Sequence, residues 1–188
     1  MGILLSTTAS QTNNEHEERE TITLPEGVDV PVRTIRPGDV PALQRFHSRL
    51  SDQTIHLRFF GPIRELSEGK AQYFAHIDGI DHFALVALDP NEPEEIIALV
   101  RYDREPGEER AEYAAIVEDS WQERGLGMRL THKLIDEARN RGVQFLYGLV
   151  KRENKRMLNL LRDLDLPEQE HREDSAKYVE VALGSGGS

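Results

Sequence analysis

The 188-residue chain contains no cysteine, which excludes disulfides, thiolate nucleophiles and cysteine-ligated zinc together. No apolar run approaches the roughly 20 residues of a membrane-spanning helix, so no membrane partner is expected. Basic charge is in deficit: 23 Lys and Arg stand against 34 Asp and Glu, a formal net charge of −11. Nucleic-acid binding needs clustered cations to neutralise phosphates, so that class is set aside. The seven histidines are scattered without an i, i+4 pair, and no metal site is expected. What remains is a globular protein whose acidity favours a cationic partner. "MGILLSTTAS" has three apolar residues in a row and no basic segment. It is not read as a signal peptide, and a cytoplasmic location is expected.

The length suits one domain with a real core. Residues 1–28 read as a disordered acidic tail without periodicity. Residues 184–188, "GSGGS", have the composition of a flexible tail, which leaves 29–183 as the domain. Within it "VDVPVRTIR" alternates as a strand. In the next segment Asp39 is placed to cap a helix, and Leu43, Phe46, His47 and Leu50 share a face. "DQTIHLRFFGPIREL" reads as a connector and "SEGKAQYFAHID" as a second helix. Strands follow over 82–89, 95–103 and 110–118, joined by hairpin-length turns. A long amphipathic helix over 127–142 buries Leu130, Leu134, Ile135 and Ala138 and ends at Gly142 as its C′ residue. "VQFLYGLVK" is a strand that can lie parallel to its predecessor after that crossover. A helix over 154–164 and a strand over 176–183 close the order, which is that of a mixed α+β domain.

The most informative stretch is "EDSWQERGLGMRL", where Gly125 and Gly127 stand at a strand-to-helix junction. A helix N-terminus leaves backbone N–H groups unpaired and favours negative charge. Glycines clear side chains from those groups, as a pyrophosphate cradle requires. Arg124 and Arg129 add positive charge. A plain turn using glycine for φ > 0 has the same letters. Leu130 rules out G-x-G-x-x-G, and the G-K-[ST] of a Walker loop is absent.

"QERGLG", with Gln122, Arg124, Gly125 and Gly127, resembles the Q/R-x-x-G-x-G/A signature of the GNAT superfamily of acetyl-CoA-dependent N-acyltransferases. The segments "LSDQTIHLRFF", "ALVA", "AEYA", "WQERGLG" and "ENKRML" occur in the order typical of the bacterial Pat-type protein lysine acetyltransferases, over about residues 30–182. The resemblance implies a GNAT fold: a mixed, mostly antiparallel sheet, with the fourth and fifth strands splayed and helices on both faces. It implies acetyl-CoA as donor, bound by the loop from Gln122 and Glu123 through Arg124 and Gly125 to Leu126, Gly127 and Met128. It also implies a bulge near Ala115, Ile116 and Val117 where the pantetheine arm pairs with the strand.

Amide formation from a thioester needs a neutral amine, and a free lysine, with pKa about 10.4, is almost wholly protonated at pH 7. A carboxylate near the amine can take that proton. Glu112 is the lone acid in "AEYAAIV" and shares a face with Ala114 and Ile116. It stands either at a cleft, where burial would raise its pKa, or at a solvated strand end. The resemblance assigns it the base. Glu108 and Glu109 read as solvated turn acids. Asn154 reads as a helix N-cap, and the resemblance adds a contact to the donor's arm. The family's frequent tyrosine acid is replaced by Leu161, and its Gly-Phe by Asp165-Leu166, which leaves the general acid unassigned. The resulting expectation is acetyl transfer to a protein lysine by direct attack. A small-amine acetyltransferase acting on a polyamine or aminoglycoside, and a non-catalytic CoA-binding regulatory module, are the alternatives.

Overall fold

The computed structural model describes residues 20–172 and 175–184. Among them is one eight-stranded sheet in the order β1-β2-β3-β4-β5-β6-β8-β7. The strands are β1 (Glu20–Thr23), β2 (Asp29–Thr34), β3 (His82–Leu88), β4 (Ile96–Arg104), β5 (Arg110–Val117), β6 (Phe145–Lys151), β7 (Glu168–Arg172) and β8 (Ala176–Ala182). All neighbouring pairs are antiparallel except β5 and β6. Helices α1 (Val40–Arg49), α2 (Asp52–Phe59) and α3 (Glu68–Ala75) cover one face. Helices α4 (Leu126–Asn140) and α5 (Lys155–Asp163) cover the other.

The strongest sequence patterns become the best-packed elements. Leu130, Leu134, Ile135 and Ala138 of α4 are buried against β3, β4 and β5. The helix ends as expected: Gly142, at φ 76°, donates to the Arg139 carbonyl at 3.0 Å, and Val143 donates to Ala138 at 2.9 Å. That is the paired bonding of a left-handed helix terminus, which favours glycine. Leu43, Phe46, His47 and Leu50 of the α1 stripe are all buried.

Three expectations are corrected, and one strand is added. Residues 20–28 do not belong to a disordered tail. Ile22 pairs with Val30 across the β1–β2 hairpin, and Ile22 and Leu24 are buried in the α4-side core; the remainder of that tail, 1–19, lies outside the described residues, as do 185–188 of the "GSGGS" segment. The connector over 52–66 contains helix α2, capped by Ser51, whose Oγ accepts from the Thr54 N–H. Asp119, far along the chain, accepts from Ser51 N (2.9 Å), Ser51 Oγ (2.6 Å) and Thr54 Oγ1 (2.8 Å) and so fixes where that helix starts. Asp39 sits at the N-cap of α1 without capping it. Its carboxylate is taken by both Nη atoms of Arg33 at 2.7 Å and by Arg36 N at 2.8 Å. Finally, polar "EQEHR" forms β7, because β8 offers it a free edge; strand formation there follows tertiary context rather than propensity.

Candidate active site

The parallel β5–β6 ladder has three rungs, ending at Glu112↔Tyr147. Beyond it the strands part, and a cavity of about 700 Å³ opens between them. Gly148 marks the divergence: a Cβ there would lie 3.2 Å from the Tyr113 carbonyl. That carbonyl therefore faces the gap. N–H and C=O groups on one edge of a strand recur every second residue, so Ala115 and Val117 present their backbones to the same gap. Ile116 turns its backbone to β4, opposite Leu99, and its side chain to the α1–α3 core. The expected bulge is not present. The β4–β5 register runs unbroken from Arg104↔Ala111 to Ala98↔Val117, and the irregularity lies between β3 and β4 at Ala87/Leu88. The gap opens because β6 leaves, so β5 keeps its full pairing with β4.

Across the top of the gap runs the glycine loop. Gly125, at φ 81°, is the N-cap of α4, and no side chain caps that helix. The first-turn N–H groups are thus free of capping, and a left-handed residue directs them. Gly127 has the tighter surroundings: a Cβ there would meet Val117 Cγ2 at 3.4 Å and Leu160 Cδ1 at 3.5 Å. Gln122 secures the loop to the strand end, donating from Nε2 to the Val117 carbonyl (2.8 Å) and to Thr54 Oγ1 (3.2 Å). Glu123 adopts φ 59°, uncommon for a residue with a Cβ.

Most of the predicted site residues converge on this cavity: Glu112, Ala115, Ile116, Val117, Gln122, Glu123, Gly125, Gly127, Met128 and Asn154 all border it. Leu126 and Arg124 do not. Leu126 is fully buried in the core beneath the loop. Arg124 turns away, bonding Glu26 at 2.5 Å and stacking 4.3 Å over the Trp121 ring. Arg129 is exposed and does not border the cavity. Asn154 caps α5, accepting from Met157 N at 3.1 Å.

Glu112 is exposed at the closed end of the gap and borders the cavity. Its cross-strand neighbour Asp103 is held by Arg101. Arg58 of α2, half-buried at the cavity, lies below the usual guanidinium range through desolvation and then the Arg101 cation, with Glu112 and Asp103 drawing it back. Leu161 is buried and offers no proton. Tyr113 borders the cavity, but burial raises its phenol above the ordinary tyrosine range, against a smaller opposing effect of its hydrogen bond to Thr131. Sequence reasoning missed Arg156, which reaches from α5 to the loop, bonding Glu123 Oε1 and Gln122 Oε1 at 2.8 Å each. Its signal was a cation in the first turn of a helix, where the dipole disfavours one.

The site is thus a sheet opened at one parallel pair, with an uncapped helix N-terminus at one end of the gap and a strand carboxylate at the other. Residues 52–165 match the acetyltransferase (GNAT) family. The chain is 31% identical over 157 residues to an acetyltransferase of Pseudomonas aeruginosa, covering 83% of this chain and 84% of that relative. The crystal structure of the GNAT domain of S. lividans Pat is similar at a TM-score of 0.81 and 29% identity, covering 87% of this chain and 96% of that one. Acetyltransferase Pat of Mycolicibacterium smegmatis is 32% identical over 135 residues, 69% of this chain but 39% of that protein. The chain belongs to the GNAT acetyltransferase family, whose acyl donor is acetyl-CoA. Among the described residues no group of three or more metal-ligating side chains is assembled.

Proposed function

We propose that the protein acetylates lysine ε-amines on a protein partner, by direct attack within a ternary complex and with Glu112 as general base. The observation that carries this reading is the position of Glu112 on the last β5–β6 rung, exposed and bordering the cavity. Acetyl-CoA supplies an activated acyl group as a thioester. The uncapped α4 turn offers its N–H groups to the diphosphate, and the β5 edge offers hydrogen bonds to the pantetheine amides from the backbone of Ala115 and the N–H of Val117, whose carbonyl is held by Gln122. An N–H of that edge near the thioester carbonyl would stabilise the negative charge developing on its oxygen. Glu112 accepts the proton of the incoming ammonium, directly or through one water, freeing the nitrogen lone pair. With Leu161 in place of a tyrosine, the thiolate leaves without an acid from α5. The net charge of −11 suits a basic, lysine-bearing target.

The test is thiol release from acetyl-CoA in the presence of a panel of lysine-bearing proteins and a panel of small amines. Release with proteins alone supports the reading. Release with polyamines or aminoglycosides alone replaces it with small-amine transfer, and tight CoA binding without release replaces it with a regulatory module.

A further inference from the structure

The loop carries an anion, Glu123, and the helix opposite it a cation, Arg156. Arg156 donates from Nε to Glu123 Oε1 and from Nη1 to Gln122 Oε1, both at 2.8 Å. Both members of the ion pair are largely exposed, at 57% and 69% of their side-chain surface, and such pairs contribute little to stability. Neither position suits its residue on local grounds. Arg156 lies in the first turn of α5, beside Lys155 and with no acidic residue in that turn, where the helix dipole disfavours cations. Glu123 is in the left-handed region. Both nevertheless border the cavity, whereas Arg124 is turned away to Glu26. Arg156 is therefore the guanidinium that borders the cavity beside the glycine loop, while Arg58 borders it from α2.

We propose that Arg156 is a phosphate-binding residue for the acyl donor, and that Glu123 holds its place when no donor is bound. The inference rests on the reading of the glycine loop as the donor's diphosphate site. The donor's diphosphate as a whole presents more negative charge and more non-bridging oxygens than the Glu123 carboxylate, and a planar guanidinium pairs with such oxygens through two parallel N–H donors. On binding, the Arg156 Nε and Nη donors pass from Glu123 and Gln122 to the phosphate. Glu123 returns to solvent, and Gln122 keeps its bond to the Val117 carbonyl. The selectivity this confers is for the phosphate-bearing donor over its phosphate-free fragment.

Titration calorimetry of CoA, alongside steady-state KM for acetyl-pantetheine, which lacks the phosphates, tests the proposal on wild type, Arg156→Ala, Glu123→Gln and the double variant. Arg156→Ala is expected to weaken CoA binding about tenfold or more, with KM for acetyl-pantetheine and the thermal midpoint unchanged. Glu123→Gln is expected to tighten CoA binding a few-fold, and that gain should vanish in the Arg156→Ala background. CoA affinity unchanged in Arg156→Ala, while Gly125→Val weakens it, overturns the proposal and leaves the loop reading standing. Equal losses toward CoA and acetyl-pantetheine show a structural role and also overturn it. A Glu123→Gln gain that persists without Arg156 reduces Glu123 to a general electrostatic effect and removes the exchange. Absence of CoA binding by wild type overturns both readings.

Discussion

Glu112 and Tyr147 face each other across the last rung of the parallel β5–β6 ladder. The closed side of that rung is pinned. Tyr147 stacks on Tyr178 of β8 with ring centroids 5.7 Å apart, and the Arg110 guanidinium lies 5.5 Å from the Tyr147 ring while also bonding Glu180. On the open side the β5 edge is no longer paired with β6. The backbone at the hinge of such a V is held by two neighbouring strands, and the Glu112 side chain stays exposed. Under the proposed function, that position is where the carboxylate would meet the acceptor amine.

Replacing Glu112 with Gln removes the proton acceptor but keeps the shape. Turnover should fall roughly 10²-fold or more, the usual scale for a general base, with CoA affinity preserved. Steady-state thiol release and CoA titration measure the two quantities separately; undiminished turnover would remove Glu112 from the mechanism.

Gly125→Val should lower CoA affinity about tenfold. The native φ of 81° costs an L-residue about 1–2 kcal/mol and a β-branched one more. Relief of that strain redirects the first-turn N–H groups of α4. A circular dichroism spectrum confirms the fold, and unchanged affinity would mean that the donor's phosphates lie elsewhere.

Tyr113→Phe separates structure from chemistry. The Tyr113 hydroxyl bonds Thr131 Oγ1 at 2.7 Å in a buried setting, and Thr131 in turn donates to the Gly127 carbonyl at 2.7 Å. Loss of the hydroxyl should cost about 1 kcal/mol, which is roughly 2–4 °C in melting temperature for a domain of this size. Because the buried hydroxyl is committed to Thr131, turnover should be nearly unaffected. A collapse in rate would identify Tyr113 as the missing acid.

His47 gives the fold a pH dependence. It is 3% exposed, its Nε2 has no hydrogen-bond partner among the described residues, and desolvation, then the Lys70 cation, holds its pKa below the usual value. The unfolded chain takes up this proton near pH 6.5 and the folded chain resists it. Below that pH the unfolded state therefore binds more protons. The stability from neutral His47 is complete above about pH 6.5 and is lost as pH falls toward the folded value. Thermal midpoints from pH 8 to 5 should drop for wild type more steeply than for His47→Leu; parallel curves would exclude His47 as a source.

The residues themselves, read in order, determined the elements whose physics is local. The α4 stripe fixes which face is buried, and Gly142 fixes where that helix stops. The alternation of "AEYAAIV" sets Glu112 and Ile116 on one face and Tyr113 and Ala115 on the other, and Gly125 supplies the left-handed turn. Spacing alone carries each of these, because neighbours within one helix or strand have fixed relative directions. Other features depend on partners far along the chain. Helix α2 begins where Asp119 receives Ser51 and Thr54, β7 exists because β8 leaves an edge, and Asp39 abandons its cap for Arg33. The same holds for the site. Nothing in "ENKRML" tells Arg156 to cross to Glu123, and nothing in β5 or β6 alone says that their pairing stops after three rungs. Long side chains and strand edges bind whatever the packed fold brings within reach, so only the tertiary structure decided which cations border the gap and where the gap opens.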